Sequence, residues 1–337
     1  MTESKTMFYG FDAEQKSREC HEKLDTYILI NYDALTDRFL DQFERYCRRI
    51  AAMQKAGKKD AIGFIHLSIL RTNILDKRHI IRLDAYDENW YADRTECSGE
   101  YDASEFLIWL DEFSDALESA AQPLYIPERL KDVQSRIFEE SNKYLVIVAE
   151  FVRMALLKAV EKEWFRNVRR CAIFAICIGG YQDKCDILYK EDSTVKDSQN
   201  VKRHLERNLP VYTHEICKQL DLSDGKYKDI RLLFSNFSGC DFSGSSFENA
   251  VIISGDFKQT VIRNVNMRKA QIVDTNFNGA VMENVDFQSA MLKHVSFAGA
   301  ALTNVTFEGT LLAEDLDFDE ATLLNTTIPA RIPATTS

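Results

Sequence analysis

The residues best suited to chemistry lie close together in the first third of the chain. They are two histidines and two aspartates: His66, His79, Asp84 and Asp87. Imidazole and carboxylate groups can bind a metal ion or form a general acid–base pair. Their spacing matches no fixed ligand pattern such as HExxH, and acidic residues beside turns are usually solvated. We therefore predict no catalytic residue, metal or cofactor, and keep these four residues as weak metal candidates.

Three cysteines form a second group of potentially reactive side chains. Cys171, Cys177 and Cys185 are separated by five and seven residues, whereas zinc sites usually contain the tighter CxxC element. An apolar run at 172–176 separates the first two, which favours buried free thiols. The Gly179–Gly180 pair that follows lacks the surrounding pattern of a phosphate-binding loop.

A short basic segment is the remaining candidate for binding. Lys162, Arg166, Arg169 and Arg170 follow one another closely and could contact an acidic partner. Such a run is more often a solvated helix face, and we interpret it in that way.

The elements that must position these residues are mainly helical. Residues 13–53 keep the three-four apolar spacing of one buried helix face, whereas the runs 63–70 and 79–86 are rich in β-formers and predict a small β-hairpin. Gly179–Gly180 is expected to end a long third helix. The helices predicted after the hairpin cover 102–121, 128–176, a short stretch ending at Pro210, and 213–220.

The last third of the chain repeats every five residues. From Phe237 to Leu312, sixteen consecutive positions five apart are large and apolar, and the residue two positions before each is small or β-branched. A period of five fits neither a helix nor a flat strand, but it fits a coil whose five-residue sides meet at corners. Four such sides would close one square turn of 20 residues.

Residues 20 apart should then stack, and their types agree. One column holds Phe237, Phe257, Phe277 and Phe297, and another holds Ile252, Ile272, Leu292 and Leu312. On the outside, Asn264, Asn284 and Asn304 recur with the same spacing. Repeating amides of this kind are typical of side-chain ladders in stacked β-structures.

These motifs resemble the pentapeptide-repeat family, whose unit is a small residue, Asp or Asn, Leu or Phe, and two variable residues. Segments 235–239 (SNFSG), 240–244 (CDFSG) and 275–279 (TNFNG) follow this unit. The resemblance covers about a quarter of the chain. It implies a right-handed quadrilateral β-helix of about four coils.

The sequence thus predicts a multidomain α + β protein. A mainly helical domain with a small hairpin is expected at 1–225, a β-helix with its C-terminal cap at 226–324, and a flexible tail at 325–337. The repeat period slips after Leu312, and segment 314–324 is expected to fold over the end of the rod and protect its strand edges.

Composition narrows the functional classes. The chain has 53 acidic and 42 basic residues, for a formal charge of −11, which disfavours non-specific binding to nucleic acid or to anionic membranes. No apolar run is long enough to span a membrane, and the N-terminus is not typical of a secretory signal. We therefore expect a cytoplasmic protein with mostly reduced cysteines.

Three functions remain open. The first is a non-catalytic scaffold in which the rod and the helical domain bind a protein partner, whose identity and stoichiometry the sequence leaves open. The second follows from the resemblance, because some family members mimic DNA and protect topoisomerases such as gyrase. From Leu232 to Leu312, seven acids face five bases, a balance too even for such mimicry. The third is an enzyme or sensor domain at 1–225 carried on a repeat scaffold.

Overall fold

The computed structural model describes residues 7–8, 11–121, 127–181, 183 and 185–329. The chain divides into two compact units, Met1–Asp192 and Ser193–Ser337. The boundary therefore lies before the position near Gly225 that the sequence predicts. Residues around Gly225 already belong to the repeating coil, because Lys226 forms a parallel bridge with Ser246.

The helices of the N-terminal unit are dominated by one of 43 residues. Asp12 caps its first turn by accepting a hydrogen bond from the backbone of Gln15 at 2.9 Å, which satisfies one otherwise free amide. The helices are α1 (Ala13–Lys55), α2 (Arg71–Leu75), α3 (Ser104–Ala121), α4 (Pro127–Ala159) and α5 (Glu163–Arg166). A single 3-10 turn spans Trp90–Ala92.

A five-stranded sheet forms the other half of this unit. Its strand order is β5-β4-β3-β6-β7, with β3 and β6 parallel and the other neighbours antiparallel. The strands of this unit are β1 (Met7–Phe8), β2 (Phe11–Asp12), β3 (Ile62–Ile69), β4 (Ile80–Tyr86), β5 (Ser98–Asp102), β6 (Arg170–Gly180) and β7 (Cys185–Asp192). The predicted hairpin is confirmed as β3 and β4, although it is part of this larger sheet and α2 lies in its connection.

The long helix predicted over 128–176 is wrong at its C-terminal end. α4 ends at Ala159, and the apolar run 172–176 lies in strand β6. Alternation explains the difference, because Phe174, Ile176 and Ile178 join the hydrophobic core on one face while Cys177 points to the other. The same core holds the buried faces of α1, α3 and α4, so these helices cover one face of the sheet.

The second unit begins with a helix and continues as a parallel β-solenoid. Helix α6 (Ser198–Leu205) is capped by Asp197, and its Leu205 is buried in the solenoid core. The strands are β8 (Tyr212–Thr213), β9 (Arg231–Leu233), β10 (Val251–Ile253), β11 (Val261–Arg263), β12 (Gln271–Val273), β13 (Val281–Glu283), β14 (Met291–Lys293), β15 (Ala301–Thr303), β16 (Leu312–Glu314) and β17 (Thr322–Leu324). One side of the coil is a sheet of six strands, β8-β9-β10-β12-β14-β16, and another is a sheet of four, β11-β13-β15-β17.

The solenoid is longer than the predicted four coils. Six stacked strands on one side correspond to about six turns, and the first turn begins at Tyr212. The helix predicted at 213–220 is therefore wrong, because this segment pairs in parallel with residues 20 positions later. The inward side chains of the first turn of the coil are Cys217, Leu222 and Tyr227, and all three are buried.

The C-terminal end also differs from the prediction. Segment 314–324 adds another turn to the coil instead of folding over its end, and Phe318 stacks on Phe297 with ring centroids 5.0 Å apart. The repeat contains one extra residue before β16. Leu312 therefore pairs with Met291, and Ala313 pairs with Leu292. Leu311, beside the extra residue, is exposed.

The predicted tail, 325–337, is described only up to Pro329. Asn325 and Thr326 still bond to the coil before them, so the ordered solenoid continues past the predicted boundary. Residues 330–337 lie outside the described part of the chain. Among the helices of the described residues, none has both the length and the apolar character to cross a membrane.

Candidate functional site

His66 lies on the sheet face opposite the helices and is completely buried. Its neighbours across the strands are Asp84 on β4 and Cys177 on β6. Nδ1 of His66 is hydrogen-bonded to the Tyr91 hydroxyl at 3.0 Å, whereas Nε2 has no partner among the described residues. Burial lowers the pKa of His66, so the imidazole is neutral at neutral pH.

Asp84 is held by a bidentate contact with Arg82, two residues before it on the same strand. Nε of Arg82 lies 3.0 and 2.8 Å from the two carboxylate oxygens of Asp84, and its Nη2 reaches Glu96 at 3.1 Å. The hydrogen bond with Asp84 is the main reason that the pKa of Arg82 rises above its ordinary value. The charge of Asp84 is thus paired with that of Arg82 within the protein.

The other two candidates lie elsewhere. His79 contacts Asp111 of α3 at 2.8 Å, and Asp87 accepts a hydrogen bond from the backbone of Asn89 in the 3-10 turn. The four predicted metal candidates therefore do not converge on one point. No group of three or more His, Cys, Asp or Glu side chains could hold a metal ion within the described ranges.

A polar cleft of about 360 Å³ opens beside Asp84. Arg82, Tyr86, Tyr91 and Tyr181 line it, and the rings of Tyr86 and Tyr91 meet edge to face at 5.3 Å. Sequence reasoning missed these residues, although the alternation of Arg82, Asp84 and Tyr86 places them on one face of β4. The cleft could receive a small polar molecule, although its Arg82 already pairs with Asp84 and Glu96.

One buried ion pair also went unnoticed in the sequence. Nζ of Lys59 lies 2.5 Å from Asp93, and both side chains are almost fully buried. Burial alone would raise the pKa of Asp93, but hydrogen bonds from Lys59 and two backbone amides lower it. This pair fixes the turn that carries Tyr91, so it supports the cleft without reacting in it.

The basic segment does not form one helix face. Arg166 ends α5, whereas Arg170 starts β6, contacts Glu191 at 2.8 Å and lies over the ring of Phe165. Arg169 donates to the backbone of Lys59. The interpretation of 162–170 as a solvated helix face is therefore wrong for its last two arginines: Arg169 is exposed but lies outside a helix, and Arg170 is partly buried in β6 and pairs with Glu191.

The interior of the solenoid follows the predicted columns, except that Ala313 takes the place predicted for Leu312. Phe257 and Phe277 have ring centroids 5.3 Å apart, and the rings of Phe277 and Phe297 are stacked 5.5 Å apart and nearly parallel. In the neighbouring column Ile252 lies opposite Ile272, which in turn lies opposite Leu292. All of these side chains are fully buried, so the stacked columns form a dry, continuous core.

The outer amides form a ladder along one corner of the coil. Nδ2 of Asn284 donates to Oδ1 of Asn264 at 2.9 Å, Asn304 donates to Asn284 at 3.0 Å, and Asn325 extends the ladder by one step. Each of these asparagines has a positive φ near 50°, a conformation that Asn adopts more readily than most residues. The ladder residues therefore both turn the chain and join successive turns.

Residues 240–318 match the family model described as "Pentapeptide repeat region". This segment is a pentapeptide-repeat solenoid. The match leaves residues 1–239 uncovered, including the whole N-terminal unit and the first turn of the coil.

Solved structures of pentapeptide-repeat proteins are similar to part of the chain. A protein from the Arabidopsis thaliana thylakoid lumen is 21% identical, covers 28% of this chain and 69% of its own, and has a TM-score of 0.28. QnrB1, a plasmid-mediated fluoroquinolone resistance protein, is 15% identical over 34% of this chain and 76% of its own, with a TM-score of 0.21. HetL from the cyanobacterium Nostoc sp. strain PCC 7120 is 16% identical over 39% and 94%, with a TM-score of 0.11. No curated protein matches the chain.

Part of the outer surface of the six-stranded side of the pentapeptide-repeat solenoid is apolar, although Arg231, Gln271 and Lys293 share its outward columns. We call it the apolar face, and its members are Leu233, Val251, Ile253, Val273 and Met291. Leu233, Ile253 and Val273 stack in one column, and Met291 is 39% exposed. With strands about 4.8 Å apart, six strands give this side a height of about 24 Å.

Ion pairs join charged residues of successive turns on the outside of the coil, and one of them continues the column that holds Leu233, Ile253 and Val273. Each joins residues about 20 positions apart, with N–O distances of 3.3–3.4 Å. The pairs are Lys228–Glu248, Arg263–Glu283, Arg268–Asp286 and Lys293–Glu314. The charges of four acidic side chains on these turns are thus offset by a basic residue of a neighbouring turn.

Proposed function

We propose that this chain is a non-catalytic scaffold whose pentapeptide-repeat solenoid binds a protein partner through the apolar face. The observation that carries the proposal is the column Leu233–Ile253–Val273, which presents branched apolar side chains on a flat parallel sheet. Soluble proteins rarely expose contiguous apolar surface without a binding role. A flat β surface of this kind matches a protein surface better than a small molecule, which requires a concave site.

The charge distribution supports a protein partner over nucleic acid or a topoisomerase. Binding to nucleic acid needs unpaired basic groups, and DNA mimicry needs a continuous acidic surface. The ion pairs between turns, such as Arg263–Glu283 and Arg268–Asp286, disfavour both possibilities because they offset the charges of these residues. Partner binding is therefore expected to depend on apolar contact and to be only weakly sensitive to salt.

The pairings in the N-terminal unit favour a structural role for the predicted chemical residues. Asp84 is bound by Arg82, and His79 is bound to Asp111, so each acid–base candidate already has an internal partner. His66 is fully enclosed and cannot meet a substrate without rearrangement of the sheet face. These contacts support the scaffold function better than an enzyme in this unit.

A charge placed on the apolar face tests the proposal. In the full-length protein, Ile253→Lys should abolish capture of the partner in affinity purification followed by mass spectrometry. Lysine is compatible with this lane of the coil, because Lys293 occupies the same column two turns later. Thermal unfolding of the variant should stay close to that of the wild type, since surface changes usually alter stability by less than about 0.5 kcal/mol.

The matched control lies on the opposite side of the coil. Val281, on the four-stranded side, is 38% exposed, and Val281→Lys adds the same charge away from the apolar face. Proteins retained by the wild type and by Val281→Lys but lost with Ile253→Lys would support the proposal. Identical captured proteins with both variants, or capture of nucleic acid instead of protein, would refute it.

A further inference from the structure

Two cysteines meet at the end of the β6–β7 hairpin, on the sheet face that the helices do not cover. Cys177 of β6 lies directly opposite Ile187, and Cys185 of β7 lies opposite Gly179. Residues two apart on a strand share a face, so the two cysteine side chains point to the same side of the sheet as diagonal neighbours. The strand register shifts between Ile176 and Cys177, a local irregularity that changes the direction of the following side chain.

Gly179 leaves room for contact between the two thiols. Because this glycine has no side chain, nothing on β6 separates Cys185 from Cys177. The two thiols interact closely enough that each shifts the pKa of the other, although Cys177 also donates to the carbonyl oxygen of Ile65 at 3.8 Å, and all eight cysteines of the chain are free. Cys177 is only 1% exposed, whereas Cys185 is partly accessible to solvent.

The contact gives the two thiols different properties. The side-chain interaction with Cys177 lowers the pKa of Cys185, and the same interaction raises the pKa of Cys177. Burial raises the pKa of five other cysteines: Cys20, Cys47, Cys97, Cys171 and Cys240. Cys185 therefore combines partial exposure with thiolate character, the two properties that make a cysteine reactive toward oxidants.

We propose that Cys177 and Cys185 form a reversible disulfide when the protein meets a hydroperoxide. The Cys185 thiolate attacks the peroxide oxygen, the O–O bond breaks, and the leaving hydroxide takes a proton to give water and a sulfenic acid on Cys185. The Cys177 thiol, as its thiolate, then attacks that sulfur and displaces a second water. In total, two thiols and one hydrogen peroxide give one disulfide and two waters, and an external thiol reverses the reaction.

This assignment goes beyond the scaffold function and does not depend on it. Reversible disulfides in reducing compartments usually belong to redox-responsive proteins. The disulfide would link β6 to β7 near the cleft, since Tyr181, which lines the cleft, lies in the loop between the two strands.

Peptide mapping of the full-length protein tests the proposal directly. Trypsin cleaves after Arg170, Lys184 and Lys190, so Cys177 and Cys185 fall in separate peptides, 171–184 and 185–190. After brief treatment with hydrogen peroxide and blocking of remaining thiols, these two peptides should appear joined, with the loss of two hydrogens. Dithiothreitol should separate them again, and the protein should remain monomeric on a non-reducing gel, which shows that the bond lies within one chain.

Cys171 provides the matched control, because it lies in the same peptide as Cys177. Its thiol bonds to the backbone of Ala61 at 3.4 Å instead of contacting Cys185. Cys171→Ser should therefore keep the joined peptide, whereas Cys177→Ser and Cys185→Ser should each lose it completely. The proposal is wrong if peptide 185–190 is recovered unlinked from the oxidised wild type, or if the joined peptide disappears in Cys171→Ser.

Discussion

The N-terminal unit and the solenoid both bury aromatic side chains, but they position them in different ways. In the N-terminal unit, Phe39 packs against Phe43, Tyr101 and Phe151, which come from α1, β5 and α4. In the solenoid, Phe277 packs against Phe257 and Phe297, the equivalent residues of the adjacent turns. The first arrangement depends on a unique set of distant contacts, and the second repeats one contact along an axis.

This difference explains why the two regions carry different features. A repeated coil presents the same outward lane on every turn, so side chains can accumulate into an extended surface such as the apolar face or the asparagine ladder. A unique core instead brings dissimilar groups together once, as with His66, Asp84 and the Cys177–Cys185 pair. Binding over an area therefore belongs to the solenoid, and local chemistry belongs to the N-terminal unit.

The largest effect is expected from removing an aromatic ring in the middle of the phenylalanine column. Phe277→Ala removes two ring contacts and leaves a cavity between turns, which should lower the free energy of unfolding of the solenoid by about 3–5 kcal/mol. Each turn contacts only its neighbours, so hydrogen exchange should accelerate mainly between 257 and 297.

Phe113→Ala in the N-terminal unit is the matched variant, because Phe113 is also completely buried. Its loss should accelerate hydrogen exchange across both the sheet and the helices of its unit. The proposed contrast between the two regions is wrong if both variants accelerate hydrogen exchange only in neighbouring residues, or if both accelerate it across a whole unit.

The sequence predicted the solenoid well because the period itself carries the structure. A fixed spacing of five, with side chains stacked 20 apart, determines sides, corners and columns together. The first turn is hard to predict because two of its three inward residues depart from the large-after-small order: Glu215 precedes Cys217 and Leu220 precedes Leu222, and only Gly225 before Tyr227 keeps it. At an end of the coil, packing against helix α6 relaxes this order, since Leu205 and Val201 help to cover the core.

The N-terminal unit was predicted less well because its contacts join distant segments. The strand β6 was assigned to a helix because residues 172–176 continue an apolar run after α4, and its parallel pairing with β3 crosses more than 100 residues. The run of Ile173, Ile176 and Ile178 is a β signal that would have favoured a strand. Cys177 and Cys185 come together only because β6 pairs with β7 in a hairpin. The sequence alone therefore shows three cysteines without zinc-site spacing and does not indicate this contact.

Acid should destabilise the N-terminal unit through one buried carboxylate. Burial would raise the pKa of Glu140, but hydrogen bonds from His21, Ser17 and Lys143 lower it from 4.5 to about 2. Because the folded-state pKa is depressed, the stabilisation is complete above pH 4.5 and is lost as the pH falls from 4.5 toward 2. The shift corresponds to at most about 3 kcal/mol.

Urea unfolding between pH 7 and 3 measures this loss, with tryptophan fluorescence as the signal. All three tryptophans, Trp90, Trp109 and Trp164, lie in the N-terminal unit, so the signal reports on that unit alone. Glu140→Gln should be less stable than the wild type at pH 7 and should lose less stability on acidification. Glu248→Gln on the solenoid corner is the control, and it should leave the fluorescence transition unchanged; an unaltered pH slope in Glu140→Gln would contradict the assignment.

A single added methyl group should distinguish the two regions further. Gly99 of β5 faces the ring of Tyr46, and a Cβ there would lie 2.5 Å from Cδ2 of that ring. The ring is buried and held by its hydroxyl, which donates to the carbonyl of Cys97 at 2.8 Å, so it has little room to move. Gly99→Ala should therefore lower the free energy of unfolding of the N-terminal unit by about 1–3 kcal/mol, measured by tryptophan fluorescence in urea. A neutral result would show that this unique core tolerates crowding.

The smallest effect is expected from the corresponding substitution of a glycine in the solenoid. Gly299 has a φ of +65°, and no atom lies within 4 Å of where its Cβ would be. The same turn position holds Asn249 and Gln259, each with positive φ, so the repeat already accepts a side chain in this conformation. Gly299→Asn should change the free energy of unfolding by no more than about 0.5 kcal/mol in circular-dichroism melts. A turn environment that repeats along the axis should accept the same side chain at every turn. A loss of unfolding free energy as large as that expected for Gly99→Ala would therefore mean that the turns are not equivalent.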